Sequence, residues 1–505
     1  MGRSIQPVLV GVGQTLDRPT DLSEARSPLE MMRATSLACA DDAGISSRQL
    51  EEIDTLAVVN TVGPRLMTNP PARLADAIGA DRANQYLTST GGNTPQMLVN
   101  HFAKEIVYER TSMVLLSGAE ALDSLSRSSK TDYPLNWVEE EGAETKPANR
   151  FSEERPGTND TEAAHNMVAP IVTYPLFENA LRRHYDISLE EHQREIGKLF
   201  ARFSEIAKDN PYSWFPTARS AEEIALPTIE NRYVGFPYTK FMNAVMQINQ
   251  SASVLMMSDV KARSLGIDES KWVYLHGHCD IDDIWNVCER INFHSSRALG
   301  IGLSKVFDMA KTTADEIDFF DIYSCFPAIV EITRDILGMK PSDPRPLTVT
   351  GGLPYFGGAG NNYSMHAIAT MVERLRKNPG SLGLVTANGW YLTKHALALY
   401  STTRPNSPFD LSDATALNAE IASLAHPIMD PKPEGKGVVD TFTVIFGRDG
   451  QPEYGLVIGT LYNSRRFVAH IKADRELLEK MTREDPIGLR GTVVYGETIN
   501  VFDFD

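Results

Sequence analysis

Apolar runs recur along this chain in two matching series. VLVGVG, from Val8, reads as a buried strand. From Leu29 to Ala43 the apolar residues fall on one helical face, and the pattern stops before Gly44. IDTLAVVNTV, from Ile53, is apolar almost throughout, as interior strands of parallel sheets are. STGGNTPQMLV, from Ser89, is a glycine turn opening a helix, and SMVLLSGAEA, from Ser112, is a strand ending in small residues. The same order then returns as DEIDFFDIYSC from Asp315, FGGAGNNYSMHA from Phe356 and LGLVTANGWY from Leu382. Ile53 pairs with Ile317, Gly92-Asn93 with Gly360-Asn361, and Ser117-Gly118 with Asn388-Gly389, at offsets of 264, 268 and 271. Small loop changes after a duplication leave a drift of this size, and an internal repeat outranks any single motif for reading architecture.

Between the two series the rhythm is lost. Residues 126–245 are rich in charge, proline and aromatics (NPYSWFPTARS, NRYVGFPYTKFMN) and read as an excursion of mostly short helices and loops. KWVYLHGHCD, from Lys271, opens the second series. PNSPFDLSDATA marks a boundary near 405–415. Beyond it, VVDTFTVIF, EYGLVIGTLY, RRFVAHIK and LRGTVVY are short β-rich runs, with one charged helix, DRELLEKMTRED, among them. That spacing predicts a small barrel of the OB type. The division is 1–125 with 246–265 as a first half, 126–245 as an insertion, 266–408 as a second half, and 409–505 as a C-terminal β-domain.

Charge and cysteine usage narrow the function. The formal net charge of −17 argues against nucleic acid as a partner, despite the OB-like tail. No run approaches the ~18 apolar residues of a membrane span. The first residues lack the apolar core of a secretory signal. Cys39, Cys279, Cys288 and Cys325 have no CxxC spacing and read as reduced thiols of a cytoplasmic protein. His276 and His278 alternate on a strand, but nothing at matching spacing completes a metal site, so no metal is expected.

The glycine turns carry the chemistry. A turn feeding a helix N-terminus offers free N–H groups and a partial positive charge, suited to an oxyanion, a thioester carbonyl or a pyrophosphate. Neither turn is a phosphate loop or a dinucleotide fingerprint.

These residues, in this order, resemble the thiolase superfamily. They are most similar to its type 1 thiolase-like branch, kin of the sterol-carrier-protein-x thiolases, over residues 6–405 and with an appended C-terminal domain. The resemblance implies α/β halves duplicated into a five-layer αβαβα core, a loop-domain insertion, and an acyl-CoA thioester as substrate. No cofactor is expected to be tightly bound. It implies a monomer or a homodimer.

The family's catalytic groups are mostly replaced. Ser89 stands where thiolases carry the nucleophilic cysteine. Tyr323-Ser324-Cys325-Phe326 stands at the NEAF or HDCF loop. Gly358 replaces the activating histidine, and the second cysteine falls at Ala387 or Asn388. A serine hydroxyl needs a base, and here the usual base is missing. Conventional thiolysis is therefore not expected.

The site implied by the resemblance has Tyr323, Cys325 and Ser89 as catalytic groups. Gly92, Gly358, Gly360, Asn361 and Asn388 form its oxyanion turns. Tyr355, Tyr363, His366 and Lys240 bind substrate. Three functions follow from the resemblance: an acyltransferase-class enzyme of lipid metabolism acting on acyl-CoA, a retro-aldol lyase of 3-hydroxyacyl-CoA using Tyr323, or a non-catalytic acyl-CoA binder.

Overall fold

The computed structural model describes residues 4–64, 66–137, 148–472 and 474–505. The chain opens with β1 (Pro7–Leu16), α1 (Pro28–Ala43), β2 (Thr55–Val58), α2 (Pro70–Ile78), β3 (Asn84–Thr88), α3 (Thr94–Val107), β4 (Met113–Ala121) and α4 (Leu122–Thr131). The insertion holds β5 (Asn149–Phe151), α5 (Asp160–Ala164), α6 (Pro170–Tyr185), α7 (Leu189–Asp209), α8 (Ala221–Ala225), β6 (Tyr233–Gly235) and β7 (Tyr238–Thr239). The chain returns through β8 (Asn249–Ser258) and α9 (Asp259–Ser264). The second half follows with β9 (Val273–Asp282), α10 (Arg297–Ala310), β10 (Phe319–Asp321), α11 (Pro327–Ile336), α12 (Tyr363–Lys377), β11 (Leu382–Gly389) and β12 (Lys394–Ser401).

The two halves share one topology. Outward from the centre the strands run β1-β8-β4-β2-β3 on one side and β9-β12-β11-β10 on the other, joined where Val8 and Leu9 pair with Tyr274 and Val273. In each half the first two neighbours pair antiparallel, the next pair is antiparallel, and the next is parallel. Helices α3 and α12 lie between the halves and touch strands of both, while α1 and α10 cover the outer faces. This is the five-layer arrangement that the repeat and its resemblance imply.

The duplication reaches individual hydrogen bonds. Ile53 and Ile317 each end a 3-10 turn opened by a capping box, Ser46 with Gln49 and Thr313 with Glu316. Asp54 then accepts from the Ser112 N–H at 2.8 Å before β4, and Asp318 accepts from the Leu382 N–H at 2.9 Å before β11. Helix α1 begins with Ser27 and Glu30 in a capping box and ends at Gly44 with φ +77°, so its boundaries fall where the sequence put them.

The insertion differs from the expectation of short helices and loops. Helices α6 and α7 are 16 and 21 residues long. Helix α7 is capped by Ser188 and buries Ile196, Phe200, Phe203 and Ala207 at helical spacing. The charge-rich texture of this region is its outer face, which masks the stripe. The run 138–147 lies outside the described residues.

After α13 (Thr415–Ala422), the strands β13 (Gly435–Phe446), β14 (Pro452–Leu461), β15 (Arg466–Ile471), β16 (Arg490–Val494) and β17 (Val501–Phe504) close a five-stranded barrel in the order β13-β14-β15-β17-β16. The charged helix α14 (Arg475–Met481) sits between β15 and β16. The insertion docks on this barrel. Gly235 of β6 pairs with Ile445, Phe236 enters the barrel core, and Asn179 of α6 donates to the carbonyls of Phe236 and Phe442 at 3.1 and 2.8 Å.

Candidate functional site

The two glycine turns meet where the halves face each other. Asn361, at the second turn, accepts from the Gly91 N–H at 2.9 Å and donates to the Asn60 carbonyl at 2.8 Å. Ser364 donates to the Gly92 carbonyl at 2.7 Å. Gly360 has φ +52°, and a Cβ there would lie 2.3 Å from the Glu120 carboxylate. Glycine is needed at this position both for conformation and for space. Gly358 donates its N–H to the Val245 carbonyl at 2.8 Å.

Tyr323 enters from the end of β10. Its N–H donates to Thr386 at 2.9 Å, and its ring stands edge-on to Tyr363, 5.6 Å between centroids at 90°. Its hydroxyl lies against Gly92, where a Cβ would be 2.1 Å from the oxygen and 2.7 Å from the Asn388 carbonyl. Among the described residues no hydrogen bond reaches that hydroxyl, and the residue keeps 6% of its surface exposed. Burial, then the neighbouring Cys325, pushes its pKa up, so the phenol stays protonated.

Cys325 is half-buried, and burial pushes its thiol up to about 12. At neutral pH it is a thiol rather than a nucleophilic thiolate. It lies beside the hydroxyl of Tyr174, a residue of α6. Tyr174 also donates to the Trp390 carbonyl at 2.9 Å, accepts from Asn388 Nδ2 at 2.8 Å, and stacks on Phe326 at 4.5 Å. The Oδ1 of Asn388 is buried without a partner.

Other expected residues sit apart from this cluster or are already occupied. Ser89 pairs its hydroxyl with Ser152 at 2.6 Å, and among the described residues no histidine hydrogen-bonds to it. His366 is fully buried against Phe356, with Nδ1 on Gln14 at 2.9 Å, and burial lowers its pKa to about 3. Tyr363 is bound to Asp321 at 3.0 Å and Thr350 at 2.6 Å. Tyr355 packs edge-on to Phe200, its hydroxyl buried without a partner. Lys240 is exposed on the segment that docks the barrel, and no contact ties it to Tyr323.

Two residues of the site escaped the sequence reading. Tyr174 lies in the insertion, 149 residues before Tyr323, with no local signal. Lys394 follows the small-residue corner of β11 and donates to the Thr90 carbonyl at 2.6 Å, bracing the first turn from the second half. Burial lowers its pKa, opposed by Asp282 and Glu154. Next to the Asn361–Asn60 contact is a cavity of ≈ 270 Å³, walled by Met32, Val58, Leu87 and Leu125.

Comparison with known structures fixes the lineage. The chain aligns with the crystal structure of a monomeric SCP2-thiolase-like protein type 1 from Mycobacterium smegmatis at 34% identity and TM-score 0.85, over 99% of both chains. The chain belongs to the SCP2-thiolase-like protein type 1 family. Residues 416–498 match the thiolase-like protein type 1 additional C-terminal domain, which in this SCP2-thiolase-like chain includes most of the barrel. An Ltp2–ChsH2(DUF35) aldolase shares the fold at 15% identity and TM-score 0.59, over 79% of this chain and 98% of that one. An acetyl-CoA acetyltransferase from Syntrophomonas wolfei shares it at 15% and 0.56, over 79% and 100%. No curated protein matches. Among the described residues no helix is long and apolar enough to cross a membrane.

Proposed function

We propose that this SCP2-thiolase-like protein binds acyl-CoA thioesters between its two glycine turns and stabilises negative charge on the thioester oxygen with neutral donors. The observation that carries the reading is the Tyr323 hydroxyl. It is protonated and unpaired, and it occupies the space over Gly92 that a side chain would otherwise fill. Such a donor suits an enolate, the intermediate shared by carbon–carbon cleavage and condensation α to a thioester. An acyl-enzyme route is disfavoured. Ser89 has no base, and the Cys325 thiol holds its proton far above neutral pH. The reaction class we favour is therefore carbon–carbon chemistry on acyl-CoA in the cytoplasm, within lipid metabolism, rather than thiolysis.

The test is direct. A 3-hydroxyacyl-CoA should be cleaved to a ketone or aldehyde, and Tyr323→Phe should cost on the order of 10²-fold in kcat. Acetoacetyl-CoA with CoA should give no acetyl-CoA. Unchanged turnover in Tyr323→Phe removes the role assigned to that hydroxyl. A second reading, a non-catalytic acyl-CoA binder, is favoured by the missing base, and tight CoA-ester binding without turnover would select it. Absence of CoA-ester binding by calorimetry would sink both.

A further inference from the structure

Behind the site loop, three helices bring together a buried set of side chains that the chemistry above does not use. Glu178 comes from α6, His192 from α7 and Glu331 from α11; they are 0%, 2% and 2% exposed. His192 Nε2 is 2.5 Å from Glu178 Oε1 and 3.9 Å from Glu331 Oε2, and one donor atom from each residue lies within 4.8 Å of the others. Glu331 Oε2 is buried with no hydrogen-bond partner, and it points into the set.

Charge makes the same demand. Two carboxyl groups lie here out of water, Glu178 bonded to His192, and in the ionised form the pair would need a cation to balance it. The nearest cation, Arg334, is 3.8 Å from Glu331 Oε1 and gives its short contacts to Asp335 at 2.9 Å and Tyr185 at 3.2 Å. The second oxygen of Glu178 already accepts from Tyr238 at 2.7 Å, an outer partner of the kind that orients a metal-binding carboxylate.

We propose that Glu178, His192 and Glu331 form a three-ligand site for a divalent transition metal of the zinc type, with its fourth position left to water. One imidazole and two carboxylates suit Zn²⁺ better than Mg²⁺ or Ca²⁺, which prefer all-oxygen sets. Bonds of about 2.1 Å place tetrahedral ligand atoms about 3.4 Å apart. The separations of 2.5 and 3.9 Å bracket that value and all three atoms lie within 4.8 Å, so relative shifts of up to about 1.4 Å complete the site. The ion would tie the insertion to α11, the helix that continues directly from Tyr323–Phe326. The ligands are 14 and 139 residues apart in sequence, which is why no spacing motif announces them.

The test uses the full-length protein purified under reducing conditions. Elemental analysis should find about one zinc per chain, or the chelator-stripped protein should gain thermal stability on adding ZnCl₂. X-ray absorption at the zinc edge should show imidazole and carboxylate ligation without sulfur. Glu331→Gln keeps the shape and should weaken zinc binding at least tenfold. Metal-free protein with no response to ZnCl₂ would overturn the proposal and leave a proton shared between the carboxyls. Sulfur in the zinc shell, or zinc affinity unchanged in Glu331→Gln, would overturn it as well. The absorption result needs only the wild type, so it decides even if the variant does not fold.

Discussion

Gly92→Ala probes the site geometry most sharply. The added methyl would lie 2.1 Å from the Tyr323 hydroxyl oxygen, 2.8 Å from its Cζ and 2.7 Å from the Asn388 carbonyl oxygen. Real Cβ contacts essentially never fall under 3.0 Å, so the ring and the strand end must both move. Neither has easy room. Tyr323 is held by Thr386 and by the Tyr363 ring, and Asn388 is a paired residue of β11. Overpacking of this kind costs about 1–3 kcal/mol, and we expect the upper end. Tyr323→Phe alone removes a hydroxyl that makes no hydrogen bond, so it should cost under about 1 kcal/mol. In the double variant the worst contact disappears while the Cζ and Asn388 contacts remain. About 1 kcal/mol should therefore be recovered as coupling between the two changes. Urea unfolding followed by tryptophan fluorescence and circular dichroism reads the cycle, with agreement between probes checking two-state behaviour. Additivity within about 0.5 kcal/mol would mean that the hydroxyl does not sit on Gly92.

Other expectations follow from single contacts. Asn361→Ala leaves the buried Gly91 N–H and the Asn60 carbonyl unpaired and should destabilise by about 1–3 kcal/mol in chemical denaturation. Asn179→Ala removes a donor from the Phe442 carbonyl and leaves that of Phe236 with Thr443 at the barrel seam; limited proteolysis should then cut the 402–434 connection faster, with the α/β body unaffected. Glu120 is buried, and its carboxyl is pushed up to about 7 by desolvation, against the N–H groups of Val62 and Gly63. The folded state holds this proton to about pH 7 and the unfolded chain releases it near 4.5, so its stabilising contribution is present below 4.5 and lost as pH rises to 7. Glu120→Gln should flatten that slope in part only, because Asp280 is also raised to about 7 by burial.

The fold was legible because the duplication repeats its punctuation. Gly44, the IDT and IDF strand starts, and the two glycine turns mark boundaries by local chemistry, and they do so twice. The barrel strands showed in β-rich runs separated by turn residues. The long helices α6 and α7 did not, because α6 carries Pro175 inside it and α7 presents Glu, Lys and Arg outward. The site was legible only where it lies on the repeat. Gly92 and Asn361 sit on the matched glycine turns, and Asn388 and Tyr323 at or just past strand ends. Tyr174 comes from the insertion, whose sequence carries no counterpart to align. His366 looked available because it follows the second turn, yet its helical phase turns it into the core against Phe356.

The short strand β5 has a consequence for assembly. It pairs in parallel with β3 through Tyr86–Thr88, at the outer edge of the first-half sheet. An open edge there would be a template for another strand. Because β5 belongs to the same chain, it competes at an effective concentration on the order of millimolar, whereas a second molecule arrives at micromolar levels or below. A neighbour would have to displace this tethered competitor or add to the outer edge of β5, which at three residues is too short to template much pairing. Light scattering should accordingly find a single chain of 55.9 kDa, and substitutions that weaken the β3–β5 ladder should be the ones that bring dimers into view.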